Sequence, residues 1–181
     1  MSVSIVTSLG RLKVELECDK VPKLCYNFLA LAGSGYYDGL TFHRNLAEFM
    51  VQGGDPYVAA RETEDGIEYY KGTNGPKGGE SIWGANFDDH FHQELKHHER
   101  GVLSMANKGA NTNASQFFIT YGPQSHLDNV YCAFGKVVDG FEVLDAMEKV
   151  KVGKKNRPVD PIVIKTMLIH ANPLADQGLT I

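Results

Sequence analysis

The sequence has few cysteines and no long apolar run, and each shortage excludes a class of protein. Its three cysteines are odd in number and form no Cys-x-x-Cys pair, which argues against a disulfide framework and against a zinc knuckle. No segment approaches the roughly 18 apolar residues that a membrane-spanning helix needs. The first residues lack the basic and apolar segments of a secretory leader. We therefore expect an intracellular protein of the cytoplasm or nucleus, with no membrane partner.

Positive charge is also scarce. The 181 residues include 18 Lys plus Arg and 22 Asp plus Glu, so the net charge is −4 with histidine neutral. A broad nucleic-acid-binding surface needs an excess of cations, and we predict no direct nucleic-acid contact. The hydrophobic fraction of 43% and the charged fraction of 22% are typical of a globular protein. The length favours a single domain over residues 1–181.

Motifs for nucleotide and metal binding are missing as well. No Gly-x-x-x-x-Gly-Lys-[Ser/Thr] loop occurs. The histidine-rich stretch 88–98 has no His-Glu-x-x-His motif and no nearby cysteine, so solvated or locally bonded histidines are favoured over a metal site. Cys25 and Cys132 fall inside predicted secondary structure, where a small buried thiol is more common than a Cys–His nucleophile pair. We predict no metal and no cofactor.

Short segments of alternating polarity, separated by glycine-rich turns, predict a mainly antiparallel β fold. In the segment 12–17, apolar residues alternate with charged ones, which places one face in a core. A first helix is predicted from Pro22 to the 33–35 glycine turn, and a second over 141–149. Strands are predicted at Val3–Thr7, Leu12–Glu17, Leu40–Arg44, Met50–Gly53, Val102–Ala106, Gln116–Thr120, Cys132–Val138 and Ile162–His170. Because most of these strands have no helix between them, a parallel sheet is disfavoured.

The segment 56–79 does not fit this pattern. Its 24 residues show little periodicity, and they include the charged run 61–65. Loops of this length are usually functional or disordered. We predict a long inserted loop, with a mobile, solvated excursion favoured over a functional one.

Six sets of residues indicate the function. They are Phe42-His43-Arg44, Phe49 to Asp55 (FMVQGGD), Ser104 to Asn107 (SMAN), Asn113 to Thr120 (NASQFFIT), Leu127-Asp128 and Phe134 to Val137 (FGKV). Each set alone is explained by ordinary core packing or a surface charge. In this order they resemble the cyclophilin family of peptidyl-prolyl isomerases over nearly the whole chain. The resemblance implies a closed eight-stranded antiparallel barrel capped by two α-helices, with the active face on the outside of the barrel.

Further residues resemble a small subgroup of isomerase-like cyclophilins found with splicing factors. They are Tyr36 to Gly39, Ser81 to Gly84, Leu95 to His97 and Ile169 to Pro173. This second resemblance makes splicing factors candidate partners, besides the proline-containing peptides or proteins that the family itself implies.

The family resemblance also implies the reaction, which is rotation about an Xaa–Pro peptide bond, and the residues that assist it. Arg44 would donate a hydrogen bond towards the prolyl nitrogen, and Gln52 would fix Arg44 and bind the substrate backbone, so both are expected to be catalytic. Substrate-binding roles fall by resemblance on Phe49, Met50, Ala106, Asn107, Gln116, Phe118, His126, Leu127 and Tyr131. A bond rotation of this kind requires no nucleophile, metal or cofactor.

Two positions depart from the best-known members of the family. His126 stands where many members have tryptophan, and Tyr131 stands where they have histidine. We expect activity to persist because Arg44 and the apolar floor remain. Binding of the cyclic inhibitor cyclosporin should be weaker, since the lost indole removes a large contact and a donor N–H. A proline-binding interaction module with little catalysis stays the alternative.

Overall fold

The computed structural model describes residues 1–170, most of them in short strands and turns. The strands are β1 (Ser2–Thr7), β2 (Gly10–Leu16), β3 (Arg44–Leu46), β4 (Met50–Gly53), β5 (Ala59–Thr63), β6 (Gly66–Tyr70), β7 (Val102–Met105), β8 (Phe117–Thr120), β9 (Ala133–Asp139) and β10 (Ile164–Ile169). The helices are α1 (Pro22–Gly33) and α2 (Phe141–Glu148), with 3₁₀ turns at Ser125–Leu127 and Lys154–Asn156. The Ala171-Asn172-Pro173 end of the subgroup motif lies outside the described residues.

Eight of the strands form one antiparallel sheet in the order β10-β1-β2-β9-β7-β8-β4-β3. The alternation predicted for β2 is confirmed, because Leu12, Val14 and Leu16 are buried and the charged residues between them are exposed. Gly10 closes the β1–β2 hairpin at a φ of +134°, which L side chains rarely adopt. Thr7 Oγ1 donates to the Gly10 carbonyl at 2.7 Å and stabilises this turn.

The predicted closure of the barrel is wrong. The sheet is an open half-barrel, and its edge strands β3 and β10 form no ladder with each other. The segment 40–42, just before β3, and the segment 162–164, at the start of β10, are joined by the isolated bridge of Thr41 with Val163 and by two backbone hydrogen bonds of 2.8 and 2.9 Å. Pro161 comes directly before this contact and has no N–H to extend it.

The strand predicted at Leu40–Arg44 also begins later than expected, since β3 starts at Arg44. Leu40 instead bridges Ala59, and Thr41 N donates to the Val58 carbonyl at 3.0 Å. The backbone of this segment therefore bonds partly to residues at the start of β5 and partly to residues at the start of β10.

Two helices pack on the sheet as predicted. Pro22 begins α1, where its missing N–H is not needed, and Leu24, Phe28 and Leu31 form the buried side. Helix α1 packs against β10, and α2 packs against β2. None of the helices within residues 1–170 has the length and apolar character that a membrane crossing requires.

The segment 56–79 is not a structureless loop, as the sequence had led us to expect, because it contains the β5–β6 hairpin. Arg61 lies opposite Glu68 in this hairpin, and their charged groups pair at 3.0 Å. Tyr69 Oη donates to the Pro158 carbonyl at 2.7 Å, which ties the hairpin to the segment before β10. Exposed side chains dominate both strands, so the periodicity of a buried face is missing from the sequence.

The cysteines and the histidine-rich stretch have the local roles that the sequence favoured. Cys25 and Cys132 are buried, and all three cysteines are free thiols. In the stretch 88–98, His97 is fully buried and hydrogen-bonded, while most of its neighbours face solvent. Within residues 1–170, no group of three or more His, Cys, Asp or Glu side chains is placed to hold a metal ion.

Candidate functional site

Nine of the eleven residues expected at the site line one hollow of about 130 Å³. They are Arg44, Phe49, Met50, Gln52, Ala106, Asn107, Phe118, Leu127 and Tyr131. These residues are far apart in the sequence and meet because β3, β4 and β8 are neighbours at one edge of the sheet. Arg44 is directly opposite Gln52 across β3 and β4, and Gln52 is opposite Phe118 across β4 and β8.

The floor of the hollow is apolar and separate from the main core. Met50, Phe118 and Leu127 are nearly fully buried and pack against one another. The Tyr131 ring meets Phe118 edge to face, with ring centroids 5.5 Å apart. Phe49 also packs against this cluster. A ring-sized apolar group placed here would lose its contact with water, which supplies binding free energy without requiring a charge.

A buried histidine supports this floor from below. The His97 ring lies nearly parallel to the Phe118 ring, at 14° and with centroids 5.9 Å apart. Its Nδ1 lies 2.9 Å from Asp128 Oδ1 and its Nε2 lies 2.9 Å from Ser104 Oγ. Burial lowers the pKa of His97, although the Asp128 carboxylate opposes this shift. In the neutral ring, Nδ1–H donates to Asp128 and Nε2 accepts from the Ser104 hydroxyl.

The same carboxylate holds the loop that supplies Leu127. Asp128 Oδ1 also accepts from the His97 backbone N–H at 2.7 Å. Burial raises the pKa of Asp128, but the bonds from His97 outweigh it, and the pKa stays below its usual value of 3.8. From the sequence, His97 was expected only to be solvated or locally bonded within the stretch 88–98, and to belong to a subgroup motif. Neither periodicity nor spacing could have shown that its ring lies under Phe118.

A row of polar side chains leads away from Arg44. Arg44 Nη1 donates to Gln52 Oε1 at a long 3.5 Å. Gln52 Nε2 in turn donates to Gln116 Oε1 at 2.8 Å, and Gln116 Nε2 donates to the Gly78 carbonyl at 2.9 Å. The amide of Gln52 is therefore fixed on one side while its contact to the exposed guanidinium stays weak. Among residues 1–170, the Arg44 guanidinium has no other side-chain hydrogen bond and no ion pair.

Backbone groups next to the hollow form a shelf. Ala106 N donates to the Gln116 carbonyl at 3.0 Å, which joins the two segments side by side. Asn107 Nδ2 donates to the Val130 carbonyl at 3.2 Å, and this bond holds the amide beside the Tyr131 loop. Gln116 itself lines the adjoining groove and not the hollow. Ala106, Asn107 and Gln116, three of the residues expected to bind substrate, thus lie together beside the hollow.

His126 is the one expected residue that lines neither the hollow nor the shelf. Its side chain is exposed, and its ring lies 5.7 Å from the Phe49 ring at an angle of 39°. It therefore extends the rim of the hollow through Phe49 and does not reach the floor.

The turn that carries Phe49 depends on residues that the sequence did not single out. Glu48 adopts a φ of +67°, which is unusual for a residue with a side chain. Its backbone N–H donates to the Glu148 carboxylate at 2.7 Å. Gln124 Nε2 donates to the Glu48 carbonyl at 2.9 Å. Contacts from α2 and from the segment before Leu127 therefore hold this strained turn in place.

The arrangement presents one cation beside an apolar floor, with amides on the side that leads to the shelf. The family model described as "Cyclophilin type peptidyl-prolyl cis-trans isomerase/CLD" matches residues 2–169. The chain belongs to this family.

Individual cyclophilins agree with this assignment along the whole chain. Peptidyl-prolyl cis-trans isomerase CYP18-1 of Arabidopsis thaliana is 55% identical over 175 residues, covering 97% of this chain and 99% of that protein. The human protein named peptidyl-prolyl cis-trans isomerase-like 3 is 51% identical over 176 residues, with the same coverage. The isomerase-like resemblance noted in the sequence is thereby confirmed, because relatives of this name match over nearly the full chain.

A solved cyclophilin confirms the fold as well. The Cryptosporidium parvum cyclophilin-type peptidyl-prolyl cis-trans isomerase, crystallised in the presence of the dipeptide Ala-Pro, superposes with a TM-score of 0.82. It is 46% identical, and the match covers 95% of this chain and all of that one.

Proposed function

We propose that the hollow binds a proline ring and accelerates rotation about the peptide bond that precedes it. The observation that carries this proposal is the position of the Arg44 guanidinium. It lies at the edge of a floor made by Met50, Phe118 and Leu127. Within the described part of the chain, residues 1–170, it has no stronger partner than the 3.5 Å contact to Gln52. A proline ring on this floor would bring its own nitrogen next to the cation.

The reaction is rotation about the Xaa–Pro C–N bond, which amide resonance opposes. The barrier is about 18–20 kcal/mol, and unassisted exchange takes tens to hundreds of seconds. A turnover of about 10² s⁻¹ requires an acceleration of about 10⁴, or roughly 5–6 kcal/mol. In the twisted amide the nitrogen lone pair is localised, so a hydrogen bond from Arg44 to that nitrogen stabilises the transition state more than the planar substrate.

Arg44 alone does not provide the whole acceleration. A hydrogen bond to a charged group contributes about 1.5–3 kcal/mol. The rest must come from holding one side of the amide while the other side turns, and from excluding water. We assign the holding of the ring to the apolar floor, and the holding of the preceding backbone to Gln52, Asn107 and the Ala106 segment.

The test measures exchange of an Ala-Pro peptide by NMR. Wild type should accelerate exchange, and Arg44→Ala should reduce kcat/KM by about 10- to 150-fold, which corresponds to the loss of one charged hydrogen bond. Arg11→Ala, an exposed arginine on β2, is the matched control and should retain full activity. Equal rates for wild type and Arg44→Ala would refute the assigned role. Tight peptide binding without acceleration by wild type would favour the interaction module.

Weakened cyclosporin binding remains a prediction, and the position of His126 supports it. The imidazole contacts only the rim residue Phe49, so a larger indole here would add apolar contact area at the mouth of the hollow. We expect His126→Trp to increase cyclosporin affinity in calorimetric titration. An unchanged affinity would show that position 126 does not limit binding.

Splicing factors as partners are supported by the subgroup resemblance in sequence alone. Affinity purification from a nuclear extract, with Arg44→Ala as a second bait, would test this proposal. Recovery of splicing factors by both baits would indicate a partner surface outside the hollow. Repeated purifications without splicing factors would contradict the proposal.

A further inference from the structure

A second groove adjoins the proline hollow and is larger, with a volume of about 380 Å³. The two sites share Gln52, Ala106 and Asn107, so a bound peptide can pass from one into the other. Of the residues that the structure describes, the charged ones that line the groove are Lys77 and Lys108, and none of its lining residues is a carboxylate. This local positive charge contrasts with the net charge of −4 of the whole chain.

The two lysines come from different segments that approach each other. Lys77 lies at the end of the 56–79 insertion, and Lys108 follows the SMAN motif. The segments meet at Gly78, where an added Cβ would lie 3.2 Å from Lys108 Nζ. The Gly78 carbonyl also accepts the 2.9 Å bond from Gln116, which attaches this wall to the polar row that begins at Arg44.

Both ammonium groups are available for a ligand. Lys77 and Lys108 are exposed, and among residues 1–170 no carboxylate lies within 4.0 Å of either ammonium group. Asp55 lies close by, but its Oδ1 accepts from the backbone N–H groups of Gly78 and Tyr57, both at 3.0 Å. The Asp55 carboxylate is therefore hydrogen-bonded to the loop backbone, and Asp55 does not line the groove.

We infer that the groove selects substrates with an acidic side chain two positions before the proline. This inference rests on the proposed function, in which the residue immediately before proline lies on the Ala106–Asn107 shelf. The next residue towards the N-terminus then lies about 3.3–3.6 Å further along an extended chain, inside the groove. A glutamate, an aspartate or a phosphoserine at that position would meet Lys77 and Lys108.

The expected selectivity is moderate because both lysines are exposed. Ion pairs between exposed groups are weakened by water and by salt, and two of them together give a preference of roughly three- to tenfold. Phosphoserine carries more negative charge than glutamate at neutral pH and should be preferred further.

The experiment compares peptides that differ only at this position. NMR exchange gives kcat/KM for Ac-Gly-X-Ala-Pro-Ala-NH₂ with X as glutamate, glutamine, lysine or phosphoserine. For wild type we expect phosphoserine and glutamate above glutamine, and lysine lowest. Raising the salt concentration should reduce the glutamate-to-glutamine ratio towards one. Preference for phosphoserine without preference for glutamate would assign the groove to phosphate and overturn the carboxylate part of the inference.

Variants that change the charge at each lysine then show which lysine contributes to the preference for an acidic residue. Lys77→Gln and Lys108→Gln should each lower the ratio of kcat/KM for the glutamate peptide to kcat/KM for the glutamine peptide. The double variant should bring this ratio to one, and Lys77→Glu should bring it below one. Lys13→Gln, an exposed lysine on β2, should keep the wild-type ratio. Equal kcat/KM for all four peptides would refute the inference while leaving the isomerase function intact. Failure to accelerate any of the four would instead contradict the proposed function.

Discussion

The buried His97 should make the stability of this protein depend on pH in a way that one substitution can isolate. Its side chain is completely inaccessible, and burial lowers its pKa below the ordinary value of 6.5, despite the opposing Asp128 carboxylate. The folded state therefore binds fewer protons than the unfolded state at pH values between the two pKa values. Stability falls as pH drops through about 6.5 and stops falling once the folded-state pKa is passed.

The size of the effect follows from the proton count and from the hydrogen bonds. One histidine can change the free energy of unfolding by at most about 1.4 kcal/mol for each pH unit inside this window. At neutral pH, the amide that His97→Gln puts in place of the imidazole is not expected to bond both Asp128 and Ser104 as the two ring nitrogens do. Leaving one buried partner unpaired costs about 1–3 kcal/mol. The variant should therefore be less stable at pH 7.5 and lose less stability on acidification.

Urea denaturation at several pH values between 5 and 7.5 measures both quantities. Asp128 stays ionised over this range, since its pKa lies below 3.8. The pKa of His43 is also lowered by burial, so some pH dependence should remain in the variant. His98→Gln is the matched control, because the neighbouring His98 side chain is 62% exposed. Parallel stability curves for wild type and His97→Gln would refute the reasoning.

Two further predictions concern the walls of the site. Phe118→Ala should lower the free energy of unfolding, measured by urea denaturation, by about 3–5 kcal/mol, and it should also reduce kcat/KM. The control Phe141→Ala should change both quantities little, because the Phe141 side chain is 39% exposed. Equal losses in the two variants would contradict the role of the apolar floor. Gly79→Ala should weaken peptide binding in calorimetric titration, because an added Cβ would clash with the Ser115 hydroxyl. The backbone φ of Gly79, +94°, would also be strained by a side chain. Gly109→Ala is the control for backbone strain, because Gly109 has a φ of +134° but open space around an added Cβ. An equal loss of binding in the two variants would show that the clash with Ser115 is not the cause.

Much of the site could be predicted from sequence because its residues belong to short, dense motifs. FMVQGGD places Phe49, Met50 and Gln52 in one segment, and SQFFIT places Gln116 and Phe118 in another. Strand alternation puts Gln52 and Met50 on the same side of β4. Resemblance assigned the roles, and the structure brings nine of the expected residues to one hollow. The roles themselves await the measurements described above.

The support beneath the hollow could not be predicted in the same way. His97 reaches Asp128 across 31 positions, and Glu48 reaches Glu148 across 100, and neither pair leaves a local pattern. The β5–β6 hairpin was missed for a related reason, because its strands are mostly exposed and show no buried face.

The sequence by itself determined the class of fold, the two helices and the identity of the residues around the hollow. The fold class and the helices follow from local spacing, from alternation of apolar side chains and from Pro22 at the start of α1. The residues around the hollow were identified by their resemblance to the cyclophilin family. Only the tertiary structure decided that the sheet stays open, that His97 lies under Phe118, and that Lys77 and Lys108 meet at one groove. Each of these depends on where distant segments meet in space, which the packing of the whole chain sets and no local pattern records.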